Sequence, residues 1–454
     1  MNGFYSINPY TNENYGNFPF IDDDVLISKI ENGRNEYYKY WKFLPINQRT
    51  KLIRNISLSL KNDIKHLSEL ITEEMGKPIR ESIAEIEKVI WLIDYHNKNA
   101  GKFLKNKIIK TEYSQSFIKY EPLGGILGIM PWNYPFWQVF RFAIPNMLAG
   151  NIIFLKHAPN VPRCALAIEN IISNSINNNS IYQNLFIDIS KVSKVLEHDF
   201  IQGVSLTGSE NAGSRVGEIA GRNIKKAVLE LGGTDPFIIC NDADYLTAIN
   251  QFIISRMSNN GQICIAAKRL FVQSHIYEKV KTLLKSKLET LKIGDPKNSD
   301  TQISCLARKD LKENLLIQLD QLKDIGANFI LNNKHEDLNT CSPLLIELKK
   351  KEAEKFDHEI FGPVAILIKF EELSEIPEMA NSSRYGLAAS LWTKDVNKAV
   401  EIADKIETGN VSVNKIVASD PRIPFGGIKK SGYGREMAEA GIKEFLNAKA
   451  IVIK

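Results

Sequence analysis

No stretch of this sequence approaches the run of about 20 apolar residues that a membrane-spanning helix needs. Cysteine is scarce and scattered. Cys164, Cys240, Cys264, Cys305 and Cys341 share no metal-ligand spacing, and a disulfide framework is not expected in a chain of 454 residues, so a reducing compartment is the simpler reading. A dominant charge is missing as well. The formal net charge is only +5, and the densest basic run, Lys349-Lys350-Lys351, is interrupted at once by Glu352 and Glu354. That pattern is a solvated surface and argues against nucleic-acid binding. The opening Met1-Asn2-Gly3-Phe4-Tyr5 has neither the basic nor the apolar region of a secretory leader, so a cytoplasmic location is expected. Internal repeats, low-complexity linkers and the three-glycine dinucleotide fingerprint are absent too.

What is present is the composition of an ordinary globular enzyme, 44% hydrophobic and 24% charged, with length for about three domain-sized units or fewer interleaved ones. Residues 1–20 lack periodicity and read as an extended arm. Ile83, Ile86, Ile90 and Ile93 recur at helical spacing after Pro78, with Gly101 as the expected stop; this stripe reads as core, with little function in the region. Alternation at Ile108–Thr111 and Ser116–Tyr120 predicts a hairpin about residues 112–115. A hairpin is marginal alone, and Ala448–Ile453 is another strand without an obvious partner nearby, so these segments are expected to build an intersubunit sheet.

Between 123 and 230, apolar runs at Gly125–Ile129, Ile152–Leu155, Leu185–Ile187 and Gly203–Leu206 alternate with helical stretches. This predicts an α/β fold with a doubly wound parallel sheet, which binds ligands at the carboxyl ends of its strands. Residues 173–184 read as a surface loop. Pro236–Ile239, Arg269–Gln273 and Val364–Ile368 predict strands of a second α/β lobe. Thr207-Gly208-Ser209-Glu210, after an apolar run, reads either as a phosphate-accepting glycine turn or as a plain strand-to-helix turn. Asn259-Asn260-Gly261-Gln262-Ile263-Cys264 places a thiol just behind a tight turn, where it can face a cleft. A reactive thiol needs a base or a positive field.

Five segments occur in order: Pro131-Trp132-Asn133-Tyr134-Pro135, Leu229-Glu230-Leu231-Gly232-Gly233, the Cys264 stretch, Glu359-Ile360-Phe361-Gly362-Pro363, and Pro424 to Glu436. Together they resemble the NAD(P)-dependent aldehyde dehydrogenase superfamily over nearly the whole chain. Lys156-His157-Ala158-Pro159-Asn160 and Ala418-Ser419-Asp420 are similar to one short bacterial branch of its succinate-semialdehyde dehydrogenases. The resemblance implies a cofactor-binding domain in 1–105 and 123–230, a catalytic domain in 231–430, and oligomerisation strands in 106–122 and 440–454. It implies Cys264 as the nucleophile, Asn133 as an oxyanion donor and Glu230 as the base that releases the acid. Relatives that pass the acyl group to coenzyme A generally lack this glutamate.

By the same resemblance Trp132, Lys156, Gly208, Ser209, Glu359 and Phe361 would bind NAD or NADP. Pro159 replaces the glutamate of strictly NAD-preferring members, which leaves use of both cofactors open. Phe142 stands where many members place a lysine, so a proton relay through that lysine does not carry over. Arg141 and Ser419 match residues that grip a distal carboxylate; the alternative for Arg141 is a structural ion pair. Ser258 replaces a second arginine, for which Arg256 is a substitute candidate. The expected activity is oxidation of succinate semialdehyde, with glutarate semialdehyde or another small aldehyde as the alternative substrate. An inert binding protein of the same fold is the alternative of another class.

Overall fold

The computed structural model describes residues 3–332 and 339–454. Two sheets organise them. The first runs, in spatial order, Gly432–Tyr433, Lys226–Glu230, Ile201–Thr207, Gly125–Met130, Ile152–His157 and Tyr182–Asn184. Its last five strands are mutually parallel and the short Gly432–Tyr433 strand is antiparallel. The central strands are mostly apolar and almost wholly buried because helices cover both faces. The second sheet runs Asn328–Asn332, Leu344–Leu348, Val364–Phe370, Arg269–Gln273, Pro236–Ile239, Ala388–Trp392 and Asn410–Val413. Only its first pairing is antiparallel.

The chain passes from the first sheet to the second after Glu230 and later comes back to the same point. Gly432 and Tyr433 pair with Glu230 and Leu229. The Leu231 N–H donates to the Ser431 carbonyl at 3.0 Å, and Ser431 Oγ donates to the Gly232 carbonyl at 2.7 Å. A glycine is required at 432: its φ is +110°, and a Cβ there would meet the Leu229 carbonyl at 1.9 Å.

Several expectations change. Residues 3–19 form an antiparallel pair, Gly3–Ile7 with Asn14–Pro19, rather than an unpaired arm; Phe4 is buried against Phe186, a contact that no local pattern reveals. The Asn- and Ser-rich stretch after residue 173 is no simple loop. A helix, Pro162–Ile176, runs into it, and Tyr182–Asn184 beyond it is the buried edge strand, while residues 185–187 lie past that strand's end. The helix after Pro78, Ile79–Phe103, does not stop at Gly101, because buried Phe103 holds its last turn down.

Residues 446–453 find their partner inside the chain. Leu446–Ile453 pairs antiparallel with Gln115–Pro122, and Lys107–Ile108 completes a three-stranded sheet. Ile108, Val452 and Ile453 on it are exposed. Among the described residues no helix is long and apolar enough to cross a membrane, and no group of acidic, His or Cys side chains could hold a metal ion.

Candidate active site

Cys264 leaves a run of backbone that few sequences tolerate. Asn259, Asn260 and Gly261 all have positive φ, at 53°, 55° and 73°. Asparagine is among the side chains that enter this region at least cost, and a Cβ at 261 would lie 2.2 Å from the Gly362 carbonyl. The turn is then fixed from every side. Asn260 Nδ2 donates to the Cys305 carbonyl at 2.8 Å, the Asn259 N–H donates to Glu81 Oε2 at 2.6 Å, and Gln262 Oε1 accepts from the Ala307 N–H at 3.0 Å.

Arg256 is fully buried below this turn. Its guanidinium donates to the carbonyls of Val364, Gly261, Ile360 and Gly362. It is therefore no substitute for the missing arginine of a substrate clamp, because its donors are spent on backbone and it does not line the cavity.

Asn133 is drawn against the same turn. Its Nδ2 donates to the Gln262 carbonyl at 3.0 Å, and its own carbonyl accepts from Asn259 Nδ2 at 2.9 Å. A primary amide has two N–H donors, so a second remains for an oxyanion beside Cys264. The Pro131–Pro135 segment is anchored by a buried ion pair between Lys77 and Glu85, with the Lys77 ammonium 3.7 Å from the centre of the Tyr134 ring. Glu85 Oε1 also accepts from the N–H groups of Phe136 and Trp137 at 2.8 and 2.9 Å, where the helix Trp137–Ala149 begins. A carboxylate there satisfies free backbone donors and suits the helix dipole. That helix carries Gln138 and Arg141.

Two cavities meet at Cys264. One, of about 370 Å³, is lined by Trp132, Asn133, Gly208, Ser209, Glu359 and Phe361 among others. The other, about 180 Å³, is walled by Trp137, Ile263, Ile265, Ile416, Val417 and Phe425, with Lys88, Arg141 and Ser419 as polar members. Cys264 and Gln138 border both.

In the larger cavity Ser209 caps the helix Glu210–Arg222, accepting from the Ala212 N–H at 3.3 Å; the first-turn N–H groups and helix dipole there suit a phosphate. Glu359 accepts from the Gly233 N–H at 3.2 Å and from Lys268 Nζ at 3.0 Å. Phe361 meets Trp132 edge to face, centroids 5.9 Å apart. Helix terminus, carboxylate and paired aromatics fit a nicotinamide dinucleotide. Lys156 does not line this cavity. It is the penultimate residue of the neighbouring strand, its Nζ 3.4 Å from the His157 carbonyl, and burial lowers its pKa.

Burial pushes the Cys264 thiol up to about 11, against the pull of Lys268 and Arg141. Lys268 Nζ donates to the Ile263 carbonyl at 2.7 Å and also to that of Cys264, so it ties the nucleophile's loop to Glu359. Glu230 ends its strand off both cavities, its carboxylate beside Gly426 and without a hydrogen-bond partner among the described residues. Burial first, then Glu436, holds this carboxyl well above the ordinary carboxylate range.

Arg141 Nε is ion-paired with Glu436, and Arg141 Nη2 donates to Thr207 Oγ1 at 3.4 Å. The structural ion pair weighed for this residue is present, although Arg141 also borders the smaller cavity. Among the lining residues that escaped the sequence reading are Gln138 and Lys88. Gln138 lies seven residues after Pro131 with no pattern to mark it. Lys88 sits in the helix set aside as pure core; its charge between Glu87 and Val89 looks like an ordinary surface residue until Ser419 is brought against it.

A thiol shared by two cavities, one lined by a helix terminus, a carboxylate and paired aromatics and the other bordered by two cations, fits a nicotinamide-dependent oxidoreductase. Comparison with known proteins narrows this. Residues 2–451 match the aldehyde dehydrogenase family, and the chain belongs to it. It is 40% identical over 450 residues, 99% of both chains, to a Synechocystis sp. protein named probable succinate-semialdehyde dehydrogenase, NADP(+). It is 36% identical to the NAD(P)+ succinate semialdehyde dehydrogenase Sad of Escherichia coli K12, covering 98% of this chain and 97% of that one. The succinic semialdehyde dehydrogenase of Streptococcus pyogenes, solved with NADP+, superposes with a TM-score of 0.96 at 35% identity over 99% of each chain.

Proposed function

We propose that this protein oxidises succinate semialdehyde to succinate with NADP+ or NAD+. The observation that carries the reading is the junction of the two cavities at Cys264, one suited to a dinucleotide and the other small, mostly apolar and cationic. The names of the full-length relatives support the substrate and both cofactors.

The chain's own groups supply the following roles. Ionised Cys264 attacks the aldehyde carbon, forming a carbon–sulfur bond while the carbonyl electrons pass to oxygen. The second N–H of Asn133 and the Cys264 backbone N–H hold that anion; losing one such donor typically costs about 2.7–4 kcal/mol of transition-state stabilisation. A bound nicotinamide cofactor would supply the acceptor for the hydride that leaves this carbon as the carbonyl re-forms. Glu230 then takes a proton from water, whose oxygen displaces the sulfur of the resulting thioester and gives the carboxylate. Ser209, Gly208, Glu359, Trp132 and Phe361, which line the larger cavity, hold the cofactor, Arg141 lends positive potential, and Ser419 contacts the substrate.

A substrate panel run with both cofactors tests the reading. kcat/KM is expected to be highest for succinate semialdehyde, with glutarate semialdehyde below it and butanal far below. Equal values for succinate semialdehyde and butanal would sink it.

Subunits are expected to associate through the exposed three-stranded sheet. Deleting residues 447–454 removes its central pairing with Gln115–Pro122 and should shift the native mass toward the monomer. An unchanged elution volume in size-exclusion chromatography would count against that surface.

A further inference from the structure

The smaller cavity holds two cations in different circumstances. Arg141 is already answered by Glu436. Lys88 is not: among the described residues no carboxylate lies within ion-pair distance of its Nζ. That ammonium lies 4.2 Å from the centre of the Trp137 ring and donates to Ser419 Oγ at 2.8 Å, a neutral partner brought from 331 residues away. An ammonium has three N–H donors, so two remain. Ser419 Oγ, accepting from Lys88, keeps its own hydrogen to donate. Much of the surrounding wall is aromatic and aliphatic, with Gln138, Ser255 and Ser258 as neutral polar members.

A charge held in such surroundings without a counterion is costly, and the cost is relieved when an anion arrives. Burial accordingly lowers the Lys88 pKa to about 8.

Resting on the function proposed above, we propose that Lys88, with Ser419, is the receptor for the distal carboxylate of the substrate, and that Arg141 is a positioning residue committed to Glu436. The carboxylate would accept from the Lys88 ammonium with one oxygen and from the Ser419 hydroxyl with the other. Charge-assisted hydrogen bonds of this kind are about twice as strong as neutral ones. The apolar wall between Lys88 and Cys264 then accommodates the short methylene chain.

Lys88→Met keeps the length of the side chain and removes its charge; Lys88→Arg keeps a charge. Steady-state kinetics on succinate semialdehyde and butanal, with all three proteins, supply the test. Truncating one side of a buried charge pair costs enough to predict a loss of about 30-fold or more in the charged-to-neutral ratio of kcat/KM for Lys88→Met. The loss should fall on KM for succinate semialdehyde rather than on kcat, and Lys88→Arg should restore part of it. Activity on butanal reports whether each variant is folded. A wild-type preference that survives in Lys88→Met overturns the assignment of Lys88 alone. A wild type without preference overturns the carboxylate-bearing substrate, and this assignment with it.

Discussion

Cys264→Ser is expected to lower kcat for aldehyde oxidation by about 10^4-fold or more, with both cofactors and every aldehyde. A serine hydroxyl at this place has no adjacent base to ionise it, and loss of a nucleophile removes the whole covalent route rather than a fraction of it. Cys341→Ser is the matched control, since Cys341 is the other half-buried cysteine among the described residues and borders neither cavity. Alkylation by iodoacetamide should inactivate wild type and Cys341→Ser alike, accelerating as pH rises toward 11 because burial keeps the resting Cys264 thiol protonated. Full activity in Cys264→Ser would remove the thiol from the reaction, whereas a wild type silent with every aldehyde would place the protein among relatives that keep a fold without turnover.

Glu230→Gln is expected to lower steady-state kcat by about 10^2 to 10^4-fold, the usual worth of a general base. Reduced nicotinamide should still form in a single burst equal to the enzyme concentration, because Glu230 is needed only after the hydride has left. Rapid-quench or stopped-flow absorbance at 340 nm reads both quantities; a loss of the burst together with the steady state would assign Glu230 to the first half of the reaction instead.

The same variant has a stability signature. Burial and Glu436 raise the folded-state pKa of Glu230, so the folded protein holds this proton more tightly than the unfolded chain does. The resulting stabilisation is complete below the ordinary glutamate pKa of about 4.3 and is lost as pH rises through the elevated one. Glutamine has no proton to lose. Glu230→Gln should therefore match wild type in acid and exceed it in thermal stability at alkaline pH. Deacylation in wild type should speed up over the same alkaline rise.

Much of this was legible in the sequence because it depends on local chemistry. Apolar runs of four to six residues marked the parallel strands, since strands covered on both faces leave no alternation. Asn-Asn-Gly before Cys264 announced a turn because those residues enter positive φ at least cost. What stayed hidden depends on residues far apart in the chain. The engagement of Arg141 by Glu436 spans almost 300 positions, and the role of Lys88 is visible only beside Ser419. Tyr182–Asn184 was masked by its polar sequence, although its neighbours bury it completely.

The strand ending in Glu230 leaves the first sheet and is rejoined there by Gly432 and Tyr433. The chain thus closes a circuit around the cleft. A rigid-body swing of one lobe from the other would first have to unzip that rung, together with the Leu231–Ser431 and Ser431–Gly232 bonds. These contacts oppose such a swing, and the sulfur is bordered by two cavities rather than by one mouth. A protein built this way exchanges clamshell closure for constancy of shape, and its scattering profile should stay the same from resting to fully loaded.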